Sequence, residues 1–235
     1  MSAPVADDPP PEAAGLHTAA EEPAEAARVA RQVAELLRTD PAVGARLAAG
    51  ERTVVGVAGE SGSGKSTTAV ALARELARGG GSAVVLYQDD YFVRPPRTNH
   101  EHRLQDITAV GPQEVDLARL AEHVAAFREG RDDVEVPAVD YRANRFRTRR
   151  VDFAAARVLV VEGTYVLTLP ALDARVFLEA TYEDTRARRL ARARDAQVDT
   201  PFDRQVLAIE HEVIRRQAVL ADVLIDREFG VRRRG

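Results

Sequence analysis

The sequence predicts an α/β protein: a doubly wound parallel sheet of five strands with helices on both faces, a lid helix and a small β-hairpin excursion. Three observations carry that reading. From Thr53 onward, short runs rich in valine, isoleucine or leucine alternate with helical patterns. The first of these runs leads into a glycine-rich turn that opens a helix. One stretch, Val134–Val151, breaks the alternation with scattered apolar and many basic residues, as a hairpin or loop excursion does.

Taken in order, residues 1–22 are rich in proline, alanine and acid and have little to bury, so they read as a disordered tail. Residues 23–50 read as an amphipathic helix and linker. Ala26, Val29, Ala30, Val33, Leu36 and Leu37 recur every three or four positions and form one apolar face. Residues 51–235 form the main domain. Its strands are Val54–Ala58, Ala83–Leu86, Val158–Val161, Val176–Leu178 and Val223–Ile225, near-continuous apolar runs that suit strands buried on both faces. Helical patterns near Lys65–Arg78, Pro112–Arg128, Asp184–Ala196 and Phe202–Leu220 lie between them.

Composition excludes several function classes. The chain of 235 residues is 45% hydrophobic and 30% charged, a globular balance. It has no cysteine, which rules out disulfides, iron–sulfur clusters and thiolate zinc sites. Its net charge of -4 resides in residues 1–50, which hold 4 arginines and 8 acids; the remainder carries 29 basic and 29 acidic residues. That balance does not suit a dedicated nucleic-acid binder. No apolar stretch approaches the roughly 20 residues that span a bilayer, and no export signal stands at the N-terminus. A cytoplasmic protein with neither nucleic-acid nor membrane partners is expected, and a homo-oligomer is compatible with the sequence.

The glycine-rich turn runs Gly59-Glu60-Ser61-Gly62-Ser63-Gly64-Lys65-Ser66-Thr67 and satisfies G-x-x-x-x-G-K-S/T. Glycines let successive N–H groups converge on phosphate oxygens, and the helix N-terminus adds partial positive charge. Lys65 is expected on the β- and γ-phosphates and the Ser66 hydroxyl on Mg²⁺. Of the 33 basic residues, Lys65 is the one lysine. A chain that uses arginine everywhere else keeps the compact ammonium where a planar guanidinium does not fit. A nucleoside triphosphate with Mg²⁺ is the expected ligand. The guanine-reading Asn/Thr-Lys-x-Asp element needs a second lysine and is excluded.

Three further groups are candidates. Asp89 and Asp90 end the second strand beside the loop, where a carboxylate takes the proton of an attacking hydroxyl; a solvated turn or helix cap is the plainer alternative. Glu162 terminates a buried apolar strand, a costly place for an acid unless it serves a cation such as Mg²⁺ or its waters; a helix N-cap region or a structural ion pair is the plainer alternative. Arg186, Arg188, Arg189, Arg192 and Arg194 crowd one helix, either as a lid that clamps the transferring phosphoryl group or as a solvated face. Asn99-His100-Glu101-His102-Arg103 invites a metal reading but supplies no third or fourth ligand nearby.

From about Thr53 to Ile225 these elements resemble the uridine kinase and phosphoribulokinase family of P-loop kinases. Gln88-Asp89-Asp90-Tyr91-Phe92 is similar to the family's Q-D-S/D-F-Y segment, which makes Asp89 the catalytic base and adds Tyr91 to the acceptor site. Pro112-Gln113-Glu114-Val115-Asp116 is similar to P-D-A-F-D, whose last aspartate holds ribose hydroxyls; that is Asp116. Val161-Glu162-Gly163 resembles the E-G element near Mg²⁺. Asp184-Thr185-Arg186, followed by Arg188 and Arg189, resembles the lid start D-T-R-x-x-R-R, one residue short. The resemblance implies Arg186 and Arg189 in catalysis and Arg192 on the nucleotide. The chain departs from the Y-D-F-x-x-H segment that reads pyrimidines. Asp140 is kept for the acceptor, but Val139 and Asn144 replace the tyrosine and histidine. Arg142, Arg145, Arg147, Arg149 and Arg150 in the same excursion suit an anionic acceptor or a solvated hairpin edge.

The expected activity is transfer of the γ-phosphate of ATP, with Mg²⁺, to a hydroxyl of a small molecule such as a nucleoside or sugar-like compound. A nucleotide-binding regulator without an acceptor and an antibiotic-modifying kinase are the alternatives.

Overall fold

The computed structural model describes residues 24–78, 80–192 and 199–235. The tail expected over residues 1–22 therefore lies outside the described residues. A six-stranded sheet has the order β2 (Ser82–Tyr87), β5 (Ala156–Gly163), β1 (Thr53–Gly59), β6 (Ala174–Leu178), β7 (Val223–Ile225) and β8 (Val231–Arg233). The first five pair in parallel, at the positions of the five apolar runs; β8 adds an antiparallel edge strand. A two-stranded antiparallel hairpin, β3 (Val134–Asp140) and β4 (Arg145–Val151), stands apart and fills the predicted excursion.

Alternation along the strands divides the core into two layers. Val55 and Val57 of β1 and Val158 and Val160 of β5 face α1 (Ala24–Arg38) and α3 (Lys65–Leu76). Val54 and Ala58 of β1 and Leu159 and Val161 of β5 face α5 (Leu117–Glu129), the hairpin and the end of α7 (Pro201–Ile214). The predicted apolar face of α1 is the buried one: Val29, Ala30, Val33, Ala34 and Leu37 enter the first layer. Leu37→Ala empties a fully packed position and is expected to cost about 3 kcal/mol of unfolding free energy, measurable by urea denaturation.

Two helices depart from the expectation. The segment read as a linker contains α2 (Pro41–Ala48), whose N-cap Asp40 accepts from the amides of Ala42 and Val43, both at 3.0 Å, with Pro41 opening the helix. The polar stretch after Asp89–Asp90 forms α4 (Pro96–Gln105), which buries only Asn99 and so carries no apolar period. The lid helix α6 (Arg186–Arg192) and α7 follow β6.

Candidate active site

The site lies at the C-terminal edge of the parallel strands, where the loop after β1 meets the ends of β5 and β2. Gly62 and Gly64 take φ of 79° and 97°, backbone that glycine adopts without strain, and Gly64 caps α3 so that Lys65 is its first residue. In the sheet register Glu162 is flanked by Val57 of β1 and Tyr87 of β2, which places it between the phosphate loop and the Asp89 turn. The Ser66 hydroxyl donates to Glu162 Oε1 at 3.1 Å. Glu162 is 3% exposed and its Oε2 has no hydrogen-bond partner. Burial raises its carboxyl well above the usual carboxylate range, against the pull of Lys65. An orphaned carboxylate oxygen beside a loop hydroxyl is a donor set that fits Mg²⁺.

Residues Gln88–Tyr91 form a 3-10 turn at the end of β2. The buried Gln88 amide donates to Thr164 Oγ1 at 2.8 Å and accepts from the Tyr165 amide at 2.7 Å, so it staples this turn to the end of β5. The two aspartates then face opposite ways. Asp89 is exposed, and its Oδ2 accepts from the Tyr141 hydroxyl at 3.3 Å. Asp90 turns inward and accepts from the Val139 amide at 2.8 Å. Burial lifts Asp90 from 3.8 to about 6, partly offset by the Val139 amide and Arg149. Because its folded value is raised, the native state holds more protons between those limits, and stability falls as pH rises through that window. Asp90→Asn keeps an acceptor for Val139 and is expected to gain about 1–2 kcal/mol at pH 8 and nothing at pH 3.5; chemical denaturation at both values checks this.

The lid starts on top of the loop. Thr185 Oγ1 donates to the Ser61 carbonyl at 2.8 Å, and the Arg189 side chain runs over Gly62, where an added Cβ would stand 2.9 Å from Arg189 Cγ. Arg189 donates to Thr185 Oγ1 at 2.8 Å and to the Tyr182 carbonyl, and burial lowers its pKa. Arg186 pairs with Asp199. The side chains of Arg188, Arg192 and Arg194 lie outside the described residues. The Glu60 carboxylate turns away from the cradle, bonded to the Tyr182 amide and His211.

The expected acceptor residues separate. Asp116 is exposed and caps α5 by accepting from the Arg119 amide at 2.9 Å; its own amide donates to the Tyr91 carbonyl at 2.8 Å, which keeps it beside the Asp89 turn. Tyr91 does not open to an acceptor. It is 3% exposed, with its hydroxyl 2.7 Å from His123 Nδ1, because the inward turn of Asp90 carries it into the core. Asp140 is also committed internally, to the Ala143 amide at 2.9 Å and Arg147 at 2.5 Å. Arg145 and Arg147 approach Asp140, and Arg150 pairs with Asp133 and Glu135, so these are charges of a hairpin edge. Asn144 is consumed by α4, accepting from the Arg97 amide at 2.8 Å and donating to Thr98 Oγ1 at 3.1 Å. Tyr141, which touches Asp89, is the site residue that the sequence reading passed over; its signal was an aromatic beside Asp140. His100 packs edge-on against Phe202, and among the described residues no three His, Cys, Asp or Glu side chains gather as a metal site.

The sequence profile of the phosphoribulokinase / uridine kinase family matches residues 54–227. The chain belongs to that family. It is 31% identical over 192 residues to the bifunctional alpha-galactosidase/sucrose kinase of Mediterraneibacter gnavus, a match covering 77% of this chain and 20% of that much longer protein. It is also 31% identical over 145 residues to a uridine kinase of Shewanella amazonensis, covering 59% of this chain and 68% of the relative. Solved structures share the P-loop kinase fold. A possible uridine kinase from Bacillus stearothermophilus superposes with a TM-score of 0.57 at 19% identity, covering 84% of this chain and 97% of that one. A D-glycerate 3-kinase from Cryptococcus neoformans gives 0.53 at 13% identity, covering 87% and 99%. Within this P-loop kinase frame no helix among the described residues is long and apolar enough to cross a membrane.

Proposed function

We propose that the chain is an ATP- and Mg²⁺-dependent kinase that phosphorylates an alcohol hydroxyl of a small, sugar-like molecule. The observation that carries this reading is Asp89: an exposed carboxylate in hydrogen-bond contact with a hydroxyl, held at the end of the strand beside Glu162. In that position it accepts the proton of an acceptor hydroxyl as the oxygen attacks the γ-phosphate. Lys65 and the loop amides hold the ATP phosphates, and Arg186 and Arg189 supply positive charge above them. Ser66 and Glu162 are the residues that would hold Mg²⁺, which would supply positive charge to offset that of the phosphates. Asp116 offers a carboxylate to further acceptor hydroxyls.

A sugar-like acceptor is preferred over a pyrimidine nucleoside for a physical reason. The hairpin offers Val139 and an Asn144 already bonded to α4 where a base-reading tyrosine and histidine would stand. The sucrose kinase activity named for one relative supports the same direction. Mass spectrometry after incubation with ATP, Mg²⁺ and panels of sugars, polyols, nucleosides and antibiotics tests this. Addition of one phosphoryl group to a polyol or sugar is expected; addition to uridine or cytidine instead overturns the acceptor assignment.

A further inference from the structure

The second residue of the phosphate loop is an acid, an unexpected neighbour for a triphosphate. Like charge beside the cradle weakens anion binding unless it is neutralised and put to use. Glu60 is 5% exposed and both of its carboxylate oxygens are engaged. Oε1 lies 2.6 Å from His211 Nδ1 on α7, and Oε2 accepts from the Tyr182 amide at 2.6 Å, just before the lid. The Tyr182 ring packs edge-on against the His211 ring, with centroids 5.8 Å apart. One side chain of the loop thus joins the nucleotide cradle, the start of the lid and α7.

We infer that Glu60 and His211 form a latch that holds the lid start on the phosphate loop, and that they are positioning residues for nucleotide binding. Lid contacts depend on where Tyr182 stands. Arg189 donates to the Tyr182 carbonyl and to Thr185, while Thr185 donates to Ser61 of the loop. Glu60 fixes the amide side of Tyr182, and Arg189 and Thr185 fix its carbonyl side. With Glu60 removed, the Tyr182 amide loses its acceptor and the lid start loses one of its ties to the loop, leaving the Thr185–Ser61 bond and the packing of Arg189 over Gly62. A lid held in place before nucleotide arrives avoids the ordering cost of closing around it, which appears as tighter binding. The imidazole also engages Glu60 Oε1 at 2.6 Å, holding the carboxylate on α7. The latch rests on reading the loop as the ATP site and adds to it how the lid is kept in register.

Calorimetric binding of the Mg²⁺ complex of the β,γ-imido analogue of ATP to the full chain tests this. Glu60→Ala is expected to weaken binding about tenfold. Glu60→Gln keeps an acceptor for Tyr182 and a donor for His211, and is expected to bind within about threefold of wild type. His211→Ala, a change at a partly exposed position, is expected to fall between them, and it carries the test should Glu60→Ala not fold. Amide exchange at Tyr182 should quicken in Glu60→Ala. Equal affinity in wild type, Glu60→Ala and His211→Ala overturns the latch, as does a glutamine variant no better than alanine. Lowered melting temperature with unchanged affinity also overturns it, since a merely structural role moves only stability. Wild-type protein that binds no analogue overturns the ATP reading itself, a failure distinct from that of the latch.

Discussion

Asp89→Asn is expected to lower the rate of phosphoryl transfer by about 10³-fold, within the range of general base catalysis, while ATP affinity stays within about twofold. Asparagine preserves the shape of the turn and can still accept from Tyr141, but it cannot take a proton. The neighbouring Asp90 does not substitute, because its half-buried carboxylate points inward to the Val139 amide. The glycine-rich loop is separate from the 3-10 turn that carries Asp89, so nucleotide binding there has no reason to change. Steady-state kinetics paired with calorimetry separates the two effects. A variant retaining a tenth or more of wild-type turnover removes Asp89 as the base.

Lys65→Arg is expected to be nearly as damaging as Lys65→Ala, lowering kcat/KM by about 10²–10³-fold although the charge is retained. Lys65 stands at the first position of α3 behind two glycines in left-handed backbone, and its ammonium interacts with both Glu162 and Glu210. A point charge on a flexible stem can serve phosphates in so tight a loop. A planar fork demands more room than a compact ammonium, and the lid already packs on Gly62 of the same loop. The use of arginine at every other basic position is the compositional trace of this constraint. Kinetics of the arginine variant within about threefold of wild type would show that charge alone suffices.

What the sequence revealed and concealed follows from the range of each interaction. The parallel strands were legible because strands covered on both faces are written as valine-rich runs, as Val158–Val161 is. The phosphate loop was legible because its chemistry is local, from Gly59 to Ser66. Helix α4 was not, since it buries Asn99 and little else. Strand β8 was hidden for a similar reason: Val231 is the one apolar residue of its three, followed by arginines. Helix α2 did leave a signal in Asp40-Pro41, a cap followed by an N1 proline, which the expected linker obscured. The acceptor side read least well. Tyr91 and Asp140 carry the right residue types, yet core packing and the hairpin's own ion pairs claim them. Tyr141 leaves only the signal of an aromatic beside Asp140, and Glu60 only its place in the loop motif; their contacts are with residues far along the chain.

The central claim is that the Glu162, Ser66, Lys65 and Asp89 constellation moves a phosphoryl group from ATP to an alcohol. Its most direct test is to quantify ADP and phosphorylated product together, with Mg²⁺, in the presence and absence of the alcohol that the acceptor panel identifies. The account predicts ADP and phosphorylated alcohol in equal amounts, with ADP formation nearly silent when the alcohol is withheld. Slow ADP formation that no alcohol accelerates, with no phosphorylated product, would contradict it and mark the protein as a nucleotide-hydrolysing regulator.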